Sequence, residues 1–115
     1  MGLAEVRRDI YDRLAAAGLD VDQVVDHEPV ALPPGISLTV ATEGVTAEQW
    51  RIALRVYVPG KLPAAASQER LDSVLDAALW HIGGYGPDEW RVAWNDDLAA
   101  FVAECVLEIP RGFGE

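Results

Sequence analysis

The chain has one cysteine, two histidines and few bases, and each scarcity removes a class of function. Cys105 has no second cysteine to pair with, so an internal disulfide is excluded, and its place in an alternating apolar run reads as a small buried hydrophobe. Nine Lys and Arg stand against 19 Asp and Glu, a formal net charge of −10. Such a surface repels a phosphate backbone and disfavours nucleic-acid binding through charge. The apolar runs are too short to span a bilayer, and no charged-then-apolar leader opens the sequence; a protein made in the cytosol is expected. No internal repeat or low-complexity stretch is evident.

What is present is an ordered series of hydrophobic patterns. Half of the 115 residues are hydrophobic, enough for one domain over residues 1–115 with a closed core. Leu3, Val6, Ile10, Leu14 and Ala17 recur at helical spacing, and Gly18 stands where a glycine stop belongs, so a helix is predicted over Leu3–Ala17. Pro29, Pro33 and Pro34 forbid a long helix between Leu19 and Pro34, which reads as an acidic extended connector with a short strand or turn around Val21, Val24 and Val25. Ile36, Leu38 and Val40 alternate with Ser37, Thr39 and Ala41 as a first strand. Trp50, Ile52, Leu54, Val56 and Val58 alternate with Arg51, Ala53, Arg55 and Tyr57, and the two runs predict an antiparallel hairpin ended by Pro59-Gly60.

Lys61 to Ser67 reads as a loop, followed by a second helix carrying Leu71, Val74, Leu75, Ala78, Leu79 and Ile82, with Gly83-Gly84 as its stop. Gly86-Pro87-Asp88 is a turn signal. A strand from Trp90 to Asn95, a turn at Asn95-Asp96-Asp97 and a long strand from Ala99 to Ile109 complete the chain, with a short mobile tail from Arg111. The expected fold is α+β in the order α-β-β-α-β-β: an antiparallel or mixed sheet of about four strands with both helices on its apolar face.

Chemistry-bearing residues are scattered rather than assembled. Asp20, Asp22, Asp26, His27 and Glu28 offer metal-ligand atoms, but the turn glycine and closing acid of a calcium loop are missing, and zinc wants more histidine or cysteine. A solvated acidic connector is the better reading. Ser37, Ser67 and Ser73 lack an elbow motif, and only His27 and His81 are available as bases. Cys105 has no neighbouring base to lower its pKa. Gly83, Gly84 and Gly86 precede a strand rather than a helix, so they form no phosphate loop. No catalytic residue, metal or cofactor is expected.

Charge and aromatic placement point to protein contacts instead. Leu19 to Glu48 holds six acids and no base, whereas Gln49 to Arg70 holds Arg51, Arg55, Lys61 and Arg70 against Glu69. Segregation of this kind suits self-association, the basic segment of one subunit meeting an acidic one of its neighbour. Trp50, Trp90 and Trp94 read mostly as core. Trp80 lies off its helix stripe and is a candidate anchor for a partner. Arg51, Arg55, Tyr57, Lys61 and Trp80 are therefore the candidate interface residues, with a wet sheet face as the plain alternative for Arg55 and Tyr57.

The opening helix ending "LAAAGL", the acidic proline-bearing connector, the strand "WRIALRVYVPG", the helix "SQERLDSVLDAALWHI" and the last strand "FVAECVLEIPR" follow one another in a familiar layout. Over nearly the whole chain this layout resembles the small tail terminator proteins of long, non-contractile-tailed phages, particularly those of actinobacteria. The resemblance rests on texture and carries no motif on which site residues align. It implies a non-enzymatic structural virion protein: a homohexameric ring at the head-proximal end of the tail tube that ends tube polymerisation and meets the head connector. Its partners would be itself, the tail tube protein and a connector or stopper protein, with no membrane and no cofactor. DNA would pass through an acidic lumen without specific binding. A head–tail stopper or head-completion protein of the same junction is the nearest alternative, and the two helices speak against a stopper's small β-barrel. An acidic DNA-mimic inhibitor and a small-ligand enzyme subunit are alternatives of other classes.

Overall fold

The computed structural model describes residues 2–61, 64–87 and 89–112. It is an α+β domain of two helices on one five-stranded mixed sheet. Helix α1 spans Leu3–Ala16, and its apolar stripe buries Val6, Ile10 and Leu14 completely. β1, Gln23–Val25, is followed by β2, Ser37–Val45, and β3, Gln49–Pro59. Helix α2 spans Ala64–His81, a short 3₁₀ turn covers Gly83–Tyr85, and β4, Arg91–Asn95, pairs with β5, Ala100–Pro110. Strand order is β1-β2-β3-β5-β4, antiparallel except for the parallel pair β1–β2.

Period-two alternation decides the two sheet faces. Leu38 and Val40 of β2, Trp50 to Val58 at even positions of β3, and Ala103 to Ile109 at odd positions of β5 join one core with Val6, Ile10 and Leu14 of α1 and Leu71, Val74 and Ala78 of α2. Each fully buried aliphatic side chain here contributes about 1.5–3 kcal/mol relative to exposure. Both helices therefore cover the same face, as the sequence led us to expect.

Several particulars differ from the sequence expectation. The sheet has five strands rather than about four, because Gln23–Val25 pairs in parallel with Ser37–Thr39. A parallel neighbour needs a long crossover, and residues 26–36 supply it as irregular chain because three prolines deny them a helix. Asp22 pins the crossover's end: its carboxylate accepts the Ile36 N–H at 2.7 Å, and its own N–H donates to the Ile36 carbonyl at 2.8 Å. Gly35 sits beside this clasp at φ +81°, where an added Cβ would lie 2.2 Å from Asp22 Oδ2.

Helix α2 begins at Ala64, inside the stretch expected to be a loop, because alanine is the best helix former. The expected loop proline, Pro63, lies outside the described residues, as do Asp88 of the turn signal and residues 113–115 of the tail. Arg111 is not loose: its N–H and Nε donate to the Glu48 and Thr46 carbonyls at 3.1 and 2.8 Å. Trp90 precedes β4 instead of opening it, since its indole N–H donates to the Leu75 carbonyl of α2 at 2.9 Å.

Candidate subunit interface

The sheet face away from the helices carries an ionic ladder. Register sets Thr39, Arg55, Glu104 and Arg91 side by side on β2, β3, β5 and β4. Arg55 Nε donates to Glu104 Oε2 at 2.7 Å, and Arg55 Nη1 donates to Glu28 Oε1 of the connector at 2.5 Å. Glu28 Oε2 accepts the Tyr57 hydroxyl at 2.7 Å. Burial disfavours the Arg55 charge, but the two carboxylates outweigh it and hold the guanidinium more firmly protonated than usual. Burial and the Glu28 carboxylate together push the Tyr57 hydroxyl well above the ordinary tyrosine range. This part of the face is not a wet one: Ser37, Thr39 and Tyr57 are buried.

A second basic residue closes the other half of the connector. Arg70 of α2 pairs with Asp20 at 3.2 Å and Asp22 at 3.5 Å. The acidic and basic segments that are separated along the sequence thus meet within one chain. Arg55 and Arg70 are spent holding the connector to the domain, which leaves the segregation of charge with an intramolecular explanation. Asp26 of the connector pairs locally with His27 at 3.0 Å.

The other candidates lie elsewhere. Arg51, beside Glu108 in register, lines an open cleft of about 260 Å³ with Glu43, Glu89, Arg91 and Glu104. Lys61 follows β3 at the sheet end and is exposed, with no ion pair among the described residues. Trp80 is 84% exposed on the outer face of α2. The structure brings Arg55 and Tyr57 together through Glu28; Lys61 and Trp80 belong to separate surfaces.

One feature of the surface was not anticipated. Trp94, expected to be core, is about half exposed (46%), together with Val92 and Phe101. β4 is an edge strand, and neither helix reaches over it strongly enough to bury its apolar side. Trp94 and Phe101 meet edge to face at 5.0 Å between centroids, an arrangement favourable to aromatic rings. The Trp94 indole N–H donates to Asp96 Oδ1 at 2.7 Å, and Asn95 Oδ1 accepts the Leu98 N–H at 3.0 Å, so the Asn95–Asp97 turn bonds locally as its residue types favour.

Neither a family model nor a curated protein matches the chain. Two clefts meet at the end of the sheet and share Pro59 and Gly60. One, of about 250 Å³, is lined by Val58, Leu71, Val92 and Phe101 with Ser67 and Gln68. The other adds Leu32, Lys61, Trp94 and Leu98. Gly60 is needed there, because a Cβ at that position would lie 2.7 Å from the Trp94 ring. The sequence signal for this surface was the alternation of Val92 and Trp94 with Phe101; what the pattern lacked was the strand order that puts them at an edge.

The groups considered for chemistry are dispersed. His81 ends α2 in solvent, His27 is bound to Asp26, and Cys105 is buried in β5. No cluster of three His, Cys, Asp or Glu suited to a metal occurs among the described residues, and none of the helices there is long and apolar enough to cross a membrane.

Proposed function

We propose that the protein is a structural assembly subunit, and that it acts as a phage tail terminator: a ring on the head-proximal end of the tail tube that ends polymerisation and meets the head connector. The observation that carries the assembly reading is the pair of exposed apolar features, Trp80 on α2 and the Val92–Trp94–Phe101 surface at the sheet end. Contiguous exposed apolar surface rimmed by polar groups marks protein contact sites. The layout of the chain supports the narrower terminator reading, as does a net charge of −10, which suits a channel that DNA traverses without sticking.

The test uses purified tail tubes of a long-tailed actinobacterial phage and gold-labelled protein, imaged by electron microscopy. Label confined to one end of each tube, with tube growth arrested when the protein is added to tube subunits, supports the reading. Label absent from tubes, with growth unaffected, overturns it.

A further inference from the structure

The two exposed apolar features are a knob and a socket at opposite ends of α2. Trp80 projects from the last turn, while Ser67, Gln68 and Leu71 line the sheet-end cleft at the helix start. From Gln68 to Trp80 the helix rises roughly 18 Å, so one molecule's indole cannot fill its own cleft. At about 250 Å³ the cleft falls below the roughly 300–1,000 Å³ of small-molecule sites and is better scaled to a side chain.

Charge around the two features is complementary. Asp72, Asp76 and Trp80 follow one another at four-residue spacing on the solvent side of α2, all exposed, with Glu69 beside them. Lys61 lines the neighbouring cleft, which shares Pro59 and Gly60 with this one, and it makes no ion pair among the described residues. An acidic helix face bearing one exposed tryptophan fits an apolar cleft beside a lysine that has no ion-pair partner among the described residues.

We infer that Trp80 of one copy inserts into the Val58–Leu71–Val92–Phe101 cleft of a second copy, with Asp76 of the first facing Lys61 of the second. The occupant of the cleft is thus a second copy of this chain. The contact joins two different surfaces, so each copy keeps one free knob or one free socket. Contacts of that type propagate head to tail until the rotation closes them into a ring. The inference rests on the assembly reading above and identifies its interface.

Two single substitutions separate the halves of the contact. Trp80→Ala removes the knob and Val92→Glu spoils the socket; both positions are exposed, so both variants keep the fold, checked by circular dichroism. Sedimentation velocity should show each variant alone as a 12.5 kDa monomer under conditions where the wild type assembles, with association weakened roughly thirtyfold or more, as expected for an interface hot spot. Mixed in equal amounts, the variants should form one species of twice the chain mass and stop there, because Val92→Glu still has its tryptophan and Trp80→Ala still has its cleft. Variants that assemble like the wild type overturn the inference while leaving the assembly reading in place. A mixture that stays monomeric also overturns it. A wild type that remains monomeric at all concentrations and on tubes defeats the assembly reading itself.

Discussion

Tyr57 gives its hydroxyl hydrogen to Glu28 across 29 positions of sequence, and the same carboxylate takes Arg55 on its other oxygen. One acid of the connector thereby fixes the crossover that lets β1 lie parallel to β2. Replacing Glu28 by Ala takes the carboxylate acceptor from the buried Tyr57 hydroxyl and leaves it only the Thr39 hydroxyl, at a cost of about 1–2 kcal/mol, while Arg55 keeps Glu104. Denaturant melts should show that loss, and amide exchange should speed up selectively across residues 26–34. Tyr57→Phe in the Glu28→Ala background should restore part of the stability, since the buried hydroxyl that lost its carboxylate is gone.

The Gly35–Asp22 clasp gives a sharper prediction. Gly35→Ala meets both a left-handed φ and the Asp22 carboxylate, so the left-handed penalty of about 1–2 kcal/mol adds to a lost hydrogen bond of about 1 kcal/mol. A fall of about 2–3 kcal/mol in unfolding free energy is expected. Gly18, also at positive φ but with open space around it, should lose only the conformational part when changed to Ala.

Asp9 and Tyr85 predict a stability profile bounded at both ends of the pH scale. The Tyr85 hydroxyl donates to Asp9, and this bond, with Arg13 at 2.9 Å, holds the Asp9 carboxyl below its ordinary value of 3.8. Burial and the Asp9 carboxylate raise Tyr85 from 10.0 to about 12. A depressed acid contributes stability above its unfolded pKa and loses it as pH falls through the folded one, so the Asp9 share fades below about pH 4. A raised tyrosine contributes fully below pH 10.0 and loses its share as pH climbs to about 12. Tyr85→Phe should cost about 1 kcal/mol at pH 7, with the difference from wild type shrinking in both outer windows. Chemical denaturation at a series of pH values measures it.

Ala99 is the one described non-glycine residue at positive φ, in the turn before β5. Ala99→Gly relieves a left-handed alanine, about 1–2 kcal/mol, against an unfolded-state entropy cost of about 0.5–1 kcal/mol for glycine. A net gain of between zero and about 1.5 kcal/mol in thermal or denaturant stability is expected.

How far the sequence reaches can be seen element by element. The alternation over Trp50–Val58 and Phe101–Ile109 and the helical stripe through Val6, Ile10 and Leu14 depend on local period, and each appears in the fold. β1 has three residues, too few for a period to declare itself, and its strand character comes from pairing with β2. The opposite-sign segments were visible in the sequence, but their meaning depended on which residues meet at long range. Arg55 finds Glu28 and Glu104, 27 and 49 positions away, and Arg70 finds Asp20, so charges that suggested a subunit contact close within the chain. Trp94 reads as core by alternation and is half exposed because β4 is an edge, a property of strand order rather than of composition. Trp80, singled out only for lying off its helix stripe, is the most exposed tryptophan.

Self-assembly is the central claim, and native mass spectrometry of the wild-type protein tests it most directly. The account predicts a single closed species of several copies of the 12.5 kDa chain, six for a terminator-like ring, that Trp80→Ala collapses to monomer. A wild-type spectrum holding only monomer, at every concentration and with tail tubes present, would contradict it.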